Sequence, residues 1–238
     1  MTTAGRLHGG EEFLAQPRRA VGWGSALLAL VALAAIFVPA GPLALDSRWA
    51  ELMRDIETPF LTHVATIFNA LGRGLWRALT IGAIGLALLL ARRWAALIAF
   101  ALVEALTPLV GNAVKALVDR PRPPGPLLEA HGSSFPSGHA SYASATTIAL
   151  VLLFTQAGRR RTAWFALAVA ASAGMAWSRT YLHVHWLSDV LAGATLGLAV
   201  ALISFGIVQL GDLARLEDHL EGEHGDAHDQ AGDHRQNE

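Results

Sequence analysis

Long apolar runs separated by short polar connections dominate this chain. Each of the six runs is close to the roughly 20 residues that a helix needs to cross the hydrocarbon core of a bilayer. The runs cover residues 21–38, 75–91, 94–114, 140–156, 162–178 and 187–210. The pattern therefore predicts an all-α protein, a six-transmembrane-helix bundle.

A stretch of mixed polarity, residues 46–71, comes before the second apolar run. Charged residues occupy its first part. Thr58 followed by Pro59 then offers an N-cap and a first-turn proline for a helix that leads into the second run. We interpret this stretch as an interfacial helix before the second span.

Three groups of arginines mark one side of the predicted bundle, at residues 18–19, 92–93 and 159–161. Positive charge in short connections usually stays cytoplasmic, so both termini are predicted to be cytoplasmic in a multi-pass cell-membrane protein. A signal peptide cleaved near Ala40 is the alternative, but the apolar run is long for such a peptide. The connections on the extracytoplasmic side are then 39–58, 115–139 and 179–186.

The composition supports the membrane assignment. Hydrophobic residues make up 53% of the 238 residues and charged residues 16%, against about 25% charged in typical soluble domains. The net charge of -1 argues against a strong electrostatic attraction to nucleic acid, so no nucleic-acid partner is expected. The chain has no cysteine, which excludes disulfides, thiolate metal sites and a cysteine nucleophile.

These features divide the chain into three parts. Residues 1–20 are predicted to be a cytoplasmic N-terminal segment, and residues 21–212 one membrane domain. In residues 213–238 acidic residues and histidines replace the apolar ones, which predicts a disordered cytoplasmic tail. Metal capture by the tail histidines is the alternative to a solvated acidic segment.

Three polar clusters lie in the outward connections. The first contains Lys115, the only lysine of the chain, and Arg122, which stands between two prolines that prevent simple helical continuation. Both cations could turn inward and bind a phosphoryl group, or remain at the membrane edge and bind lipid headgroups. We interpret Arg120 and Asp119 as a pair with each other.

The second cluster, Pro136-Ser137-Gly138-His139, comes just before an apolar run. It predicts a helix start, whose unpaired N–H groups favour an anion. Ser137 could cap the helix or donate its hydroxyl to phosphate, and Gly138 would let the oxygens approach the backbone. His139 would then lie beside the bound group. The alternative is a capped helix with an interfacial histidine.

The third cluster combines Arg179, His185 and Asp189. His185 and Asp189 are four residues apart and would share one helix face, so the carboxylate could hold one imidazole N–H and leave the other nitrogen as a nucleophile. Arg179 would supply a bidentate phosphate donor. One alternative is a salt bridge between Arg179 and Asp189. Another is His183 as nucleophile, although its spacing of six residues from Asp189 is unfavourable.

Two further features lie outside the clusters. Glu104, within the third span, is either functional or forms a buried bridge to Arg73 or Arg77. Gly193 and Gly197 form a small-residue face on the sixth span, which packs against another helix of the chain or, in a homodimer, against a second subunit.

In order and spacing, the three clusters resemble the signature motifs of the type-2 phosphatidic acid phosphatase (PAP2) superfamily. These motifs are a lysine, six residues and Arg-Pro; Pro-Ser-Gly-His; and Ser-Arg, five residues, His, three residues and Asp. The chain has them as Lys115 to Arg122-Pro123, Pro136 to His139, and Ser178-Arg179 through His185 to Asp189. The resemblance extends over roughly residues 50–205, and no signature position is missing.

The resemblance implies a metal-independent hydrolase that cleaves a phosphate ester of a lipid at the extracytoplasmic membrane surface. In such an enzyme His185 would attack phosphorus to form a phosphohistidine, Asp189 would orient His185, and His139 would protonate the leaving oxygen. The phosphate-binding residues would be Lys115, Arg122, Ser137, Gly138 and Arg179. No metal and no cofactor is expected, and the partners would be the lipid phosphate and the surrounding membrane lipids.

Nothing in these motifs contacts the lipid tail, so they leave the substrate open. A polyprenyl diphosphate such as undecaprenyl diphosphate is slightly favoured, with phosphatidate or phosphatidylglycerophosphate as alternatives. Vanadate-dependent haloperoxidases share the motifs, but they are soluble proteins, and the six apolar runs argue against that class for this chain. A non-catalytic lipid-phosphate transporter or binding protein would lack His139, His185 or Asp189, and all three are present.

Overall fold

The fold is that of a computed structural model, which describes residues 13–155 and 159–233. These residues form eight helices and no strand: α1 (Pro17–Phe37), α2 (Ala44–Asp55), α3 (Pro59–Leu71), α4 (Gly74–Leu90), α5 (Trp94–Leu117), α6 (Gly138–Phe154), α7 (Arg159–Tyr181) and α8 (Leu187–Asp233). The all-α prediction is confirmed.

Each of the six predicted apolar runs coincides with a helix, namely α1 and α4 to α8. Three of these helices, α1, α5 and α8, are long and apolar enough to cross a membrane. The pair α3 and α4 meets the same criterion as one span with a 51° bend, and α6 is a shorter apolar helix. The described part of the chain therefore has three to four candidate spans, and the count of six stays a proposal.

The predicted interfacial stretch contains two helices: α3, the helix that was predicted to begin at Thr58 and Pro59, and α2 before it, which the sequence did not distinguish. Charged α2 ends at Asp55, and Thr58 caps α3, where its Oγ1 accepts a hydrogen bond from the Leu61 N–H at 3.3 Å. The predicted cap is thereby confirmed. Helix α4 begins after a break, at Gly74. The φ of Gly74 is 55°, and glycine adopts this left-handed conformation at little cost. Polar residues between α2 and α3 and the glycines after α3 interrupt what the sequence suggested was one element.

Helix α8 continues beyond its apolar part. Its backbone is helical through Asp233, so the predicted start of disorder at residue 213 falls inside a helix. The ends of the predicted N-terminal segment and tail, residues 1–12 and 234–238, lie outside the described residues, as do residues 156–158. The division into three parts and the disorder of the tail stay predictions.

Helix α6 is at the centre of the bundle. It packs against α5, α7 and α8, and 12 of its 17 residues are buried. The apolar core around it includes Phe100 of α5, Leu152 of α6 and Phe205 of α8. Because α6 is surrounded on several sides, its first turn is held in place by the neighbouring helices.

Close approach of α8 to α6 depends on two glycines. A Cβ atom on Gly193 would lie 2.4 Å from the carbonyl oxygen of Ser137, and one on Gly197 would lie 2.2 Å from that of Ser141. The small-residue face therefore packs within the chain and fixes the beginning of α8 beside that of α6. A homodimer stays a prediction.

The arginines that were predicted to be cytoplasmic lie at the end of the bundle opposite the three polar clusters. Arg93 donates a hydrogen bond to the Leu153 carbonyl at 2.9 Å, and Arg161 donates one to the Phe13 carbonyl. The Gln209 side chain also accepts a hydrogen bond from the Phe13 N–H, at 3.1 Å. These contacts join α5 to α6, and α7 and α8 to the segment before α1. The polar clusters occupy the other end of the bundle.

We expect Gly197→Ala to destabilise the protein by about 1–3 kcal/mol, because the added methyl group would overpack the backbone contact between α8 and α6. The matched control is Gly82→Ala in α4, where an added Cβ has no atom within 4 Å. The thermal midpoint of each variant in detergent micelles checks this. Equal midpoints for both variants would contradict the close packing.

Candidate active site

The three polar clusters meet at one end of the bundle. Lys115 lies in the last turn of α5, the connection after α5 carries Arg122 and Ser137, and α6 begins with Gly138 and His139. On the other side, α7 ends near Arg179, and a short connection with His185 leads to Asp189 in the first turn of α8. Tight packing among α6, α7 and α8 brings together side chains that are far apart in sequence.

His185 is buried and held in one orientation. Its Nδ1 lies 2.7 Å from the carbonyl oxygen of Ser134, and its Nε2 lies 3.3 Å from Nη1 of Arg122. A carbonyl can only accept, so Nδ1 carries the proton and Nε2 keeps its lone pair. Burial lowers the pKa of His185 to about 4, further lowered by the charges of Arg179 and Arg122 and opposed by the carboxylate of Asp189. The ring is therefore neutral at neutral pH.

Asp189 lies beside the imidazole of His185, but the contact is longer than the predicted hydrogen bond. Its Oδ2 is 3.6 Å from Nδ1 of His185, too far for a hydrogen bond, and Ser134 takes that place. Oδ2 instead accepts the Trp186 N–H at 2.8 Å. Helix α8 begins only at Leu187, so His185 lies before the helix and the four-residue spacing does not put the two side chains on one helix face. Asp189 fixes the connection that carries His185.

Arg120 is the main feature of the site that the sequence did not predict. Its side chain has no exposed surface. Nη1 donates to Asp189 at 2.5 Å and to Ser188 Oγ at 2.7 Å, and Nη2 donates to Asp46 at 2.7 Å. The predicted pairing with Asp119 is wrong. The only sequence signal for this network was the presence of Asp46 in an outward connection, 74 residues away.

Main-chain carbonyls hold the two cations of the first cluster. The Lys115 ammonium donates to the Ser133 carbonyl at 2.9 Å. Arg122 donates to the carbonyls of Val184 at 2.6 Å and His131 at 3.0 Å. Burial lowers the pKa of Arg122, and the charge of Asp189 opposes this shift. Of the two orientations that the sequence left open, the contacts with these carbonyls correspond to the inward one.

The first turn of α6 places two polar atoms in the interior without a partner. Ser137 is the N-cap residue, but its hydroxyl makes no capping bond, and its Oγ is buried and unpaired within the described part of the chain. Nε2 of His139 is likewise buried without a hydrogen bond to the described residues. Gly72 makes room for this ring, since a Cβ there would lie 2.7 Å from His139 Cδ2. The predicted helix start is confirmed, and the Ser137 hydroxyl does not cap it.

Arg179 contacts a residue that the sequence analysis missed. Its Nη1 donates to Oδ1 of Asn69 at 2.5 Å, while its Nε is buried without a partner among the described residues. The alternative of a salt bridge to Asp189 is therefore wrong, because Arg120 occupies that carboxylate. His183, the competing nucleophile, lies 2.6 Å from Glu57 through its Nε2. That contact supports a packing role for His183.

A cavity of about 310 Å³ adjoins the first turn of α6. His139 and Lys115 line it together with Arg73 and Arg77 from the beginning of α4. Arg77 lies 3.9 Å from the carboxylate of Glu104. Of the two bridges that the sequence allowed for Glu104, the one to Arg77 is present.

The arrangement is suited to a displacement at an anionic centre. It combines an imidazole with a free lone pair, several cations, and a helix N-terminus, a set of groups that would stabilise the charged oxygens of a phosphoryl group. Among the described residues no three His, Asp or Glu side chains are grouped as metal ligands. The expectation of a cofactor-free reaction stays a prediction.

Fold and site together define a class of protein: a helical, multi-pass membrane protein with a buried histidine and an anion-binding cluster at one end. The sequence profile of the PAP2 superfamily matches residues 95–211. Phosphatidylglycerophosphatase B of Bacillus subtilis (strain 168) is 32% identical over 168 residues, which are 67% of this chain and 80% of that protein. The chain belongs to the PAP2 superfamily.

Two other relatives match over shorter stretches. Lipid A 1-phosphatase of Porphyromonas gingivalis is 36% identical over 117 residues, covering 48% of this chain and 24% of that protein. Undecaprenyl-diphosphatase of Sulfolobus acidocaldarius is 36% identical over 87 residues, covering 37% of this chain and 39% of that protein. All three relatives act on lipid phosphates by name, and this chain is a membrane phosphatase of lipid phosphates.

Solved structures share the fold. The crystal structure of a transmembrane PAP2-type phosphatidylglycerolphosphate phosphatase from Bacillus subtilis superposes with a TM-score of 0.62 at 26% identity, covering 84% of this chain and 98% of that one. LpxE of Aquifex aeolicus superposes with a TM-score of 0.55 at 23% identity, covering 71% of this chain and 96% of that one. At that identity the second comparison concerns the fold alone.

We expect Arg120→Met to lower the free energy of unfolding by about 3–5 kcal/mol, because it leaves two buried carboxylates without their cation. Arg54→Met is the matched control, since Arg54 is an exposed arginine of α2. Chemical or thermal unfolding in detergent measures both. A loss no larger than that of the control would mean that Arg120 does not hold this end of the bundle together.

Proposed function

We propose that this chain hydrolyses a lipid phosphate or diphosphate through a phosphohistidine intermediate on His185. Nε2 of His185 attacks phosphorus, the bond from phosphorus to the leaving oxygen breaks, and His139 gives that oxygen a proton. Water then attacks the phosphohistidine while His139 takes its proton, which releases phosphate and restores both histidines. Lys115, Arg122, Ser137, Gly138 and Arg179 bind the phosphoryl oxygens.

The observation that carries this proposal is the orientation of His185. The Ser134 carbonyl fixes the proton on Nδ1, so the lone pair on Nε2 points to the side where Arg122 lies 3.3 Å away. A phosphoryl group bound by Arg122 would thus be next to the nucleophile. Asp189 acts indirectly, since it holds the Trp186 N–H and the Arg120 guanidinium that position the connection.

Two lipid classes are candidates for the substrate. Polyprenyl diphosphate, slightly favoured by the sequence, is supported by the relative named undecaprenyl-diphosphatase, which matches over 87 residues. Phosphatidylglycerophosphate is supported by the longer match, 168 residues, to phosphatidylglycerophosphatase B. We retain both within the proposal, with phosphatidate as a third member of the test panel.

The mechanism predicts that His185→Ala abolishes phosphate release from every lipid, because no nucleophile remains. His139→Ala should lower kcat by about 10²–10⁴-fold through loss of the general acid. The assay measures phosphate from polyprenyl diphosphate, phosphatidylglycerophosphate and phosphatidate in detergent with a chelator present. His63→Ala, at an exposed position of α3, is the control and should keep full activity.

A phosphoenzyme that is labile in acid and stable in alkali should accumulate in the wild-type protein and not in His185→Ala. Release that survives His185→Ala would contradict the nucleophile assignment. A strict requirement for added metal would contradict the metal-free mechanism. No release from any lipid by the wild-type protein would contradict the proposed function.

We also propose six spans, with both termini in the cytoplasm and the active site on the extracytoplasmic side. In support, the arginine groups lie at the bundle end opposite the site, and positive charge favours the cytoplasmic side. A reporter fused after residue 238 should therefore be active only in the cytoplasm. An extracytoplasmic reporter signal would contradict this topology.

A further inference from the structure

The cavity beside His139 is strongly cationic. It lies between the beginning of α4, the last turns of α5 and the first turn of α6, and has a volume of about 310 Å³. Among the described residues that line it are three cations, Arg73, Arg77 and Lys115, and no carboxylate. A cavity of this charge favours an anionic occupant.

In-line displacement decides which part of a substrate enters this cavity. The attacking nitrogen and the leaving oxygen stand on opposite sides of phosphorus. His139, the proposed acid for the leaving oxygen, lines the cavity, whereas the nucleophile His185 does not. The leaving group, with the lipid to which it belongs, therefore lies on the side of the cavity.

Arg73 is the cation of the cavity that is free to bind this group. It is the N-cap residue of α4 and makes no side-chain capping bond. Within the described part of the chain its side chain forms no hydrogen bond or ion pair. Arg77, by contrast, lies 4.5 Å above the ring of Tyr142 and 3.9 Å from Glu104, and Lys115 donates to a main-chain carbonyl.

We infer that Arg73 selects lipids whose leaving group keeps an anionic phosphate after the scissile bond breaks. This rests on the proposed function. A polyprenyl diphosphate leaves as a monophosphate, and phosphatidylglycerophosphate leaves with its phosphodiester, so both present an anion to the Arg73 guanidinium. Phosphatidate leaves as a neutral diacylglycerol and gains nothing from this contact. Arg73 thus determines specificity by binding the leaving group and does not take part in bond making at phosphorus.

The test compares kcat/KM of Arg73→Gln with that of the wild-type protein for lipids of the two kinds. For polyprenyl diphosphate we expect a loss of about 10-fold or more, the effect of removing one charge-assisted hydrogen bond. For phosphatidate we expect a change of less than about threefold, since no partner anion is lost. Arg54→Gln, which removes an exposed charge on α2, should change neither value.

A second measurement uses water-soluble probes and separates the headgroup from the lipid tail. Methylenediphosphonate carries the second anion, and orthophosphate does not. Arg73→Gln should weaken competitive inhibition by methylenediphosphonate about 10-fold and leave inhibition by orthophosphate within about threefold of wild type. Either an equal loss for both lipids and both probes, or no loss at all, would overturn the inference while leaving the proposed function intact. A wild-type protein that releases phosphate from no lipid would overturn both.

Discussion

The ion pairs of Arg120 with Asp46 and Asp189 hold the active end of this bundle together. Arg120 comes from the connection before α6, Asp46 from α2 and Asp189 from the first turn of α8, and all three side chains are buried. In a medium of low dielectric constant, each charge can be tolerated only while the others remain in place. The network therefore fixes the beginning of α8 relative to the loop that carries Arg122. The carboxylate that pairs with Arg120 also binds the Trp186 N–H, so the orientation of the connection before α8 depends on the same contact.

Around this frame the site is organised before any ligand binds. Main-chain carbonyls orient the His185 ring and both cations of the first cluster, so little reorganisation is needed when an anion arrives. The Ser137 hydroxyl and the Arg179 Nε are buried without partners in the described structure. Unpaired buried donors cost free energy, and a bound phosphoryl group is the kind of acceptor that would recover it. At the proposed active site, the fold thus gives up some folding stability and gains affinity for a phosphoryl group.

The two sides of the proposed reaction lie in different structural surroundings. On the attacking side, the Ser134 carbonyl, the Arg122 guanidinium and the connection before α8 surround His185, and both Arg122 and His185 belong to the motifs that define the family. On the leaving-group side, His139 opens into a cavity between helices, lined by Arg73 outside the motifs. Chemistry and substrate selection can therefore vary independently, because a change in α4 alters the cavity without moving the nucleophile. Relatives named for different lipids share the superfamily, which agrees with such a separation.

The sequence by itself determined most of the helices and identified many of the polar residues that lie together at one end of the bundle. Bilayer thickness imposes the length of an apolar run, so the six runs could be located without any tertiary information, and the polar clusters at their ends contained Lys115, His139 and His185. Helix boundaries that depend on local caps, such as Thr58, were also readable. Only the tertiary structure decided which side chains contact each other. Arg120 meets Asp46 across 74 residues, and Arg179 meets Asn69 across 110, distances over which no spacing rule operates. The spacing of His185 and Asp189 correctly indicated that the two side chains lie close together, 3.6 Å apart. They do not share a helix face, because α8 begins between them. Sequence periodicity describes contacts within one helix, whereas these contacts arise from the close approach of different helices, which Gly193 and Gly197 permit.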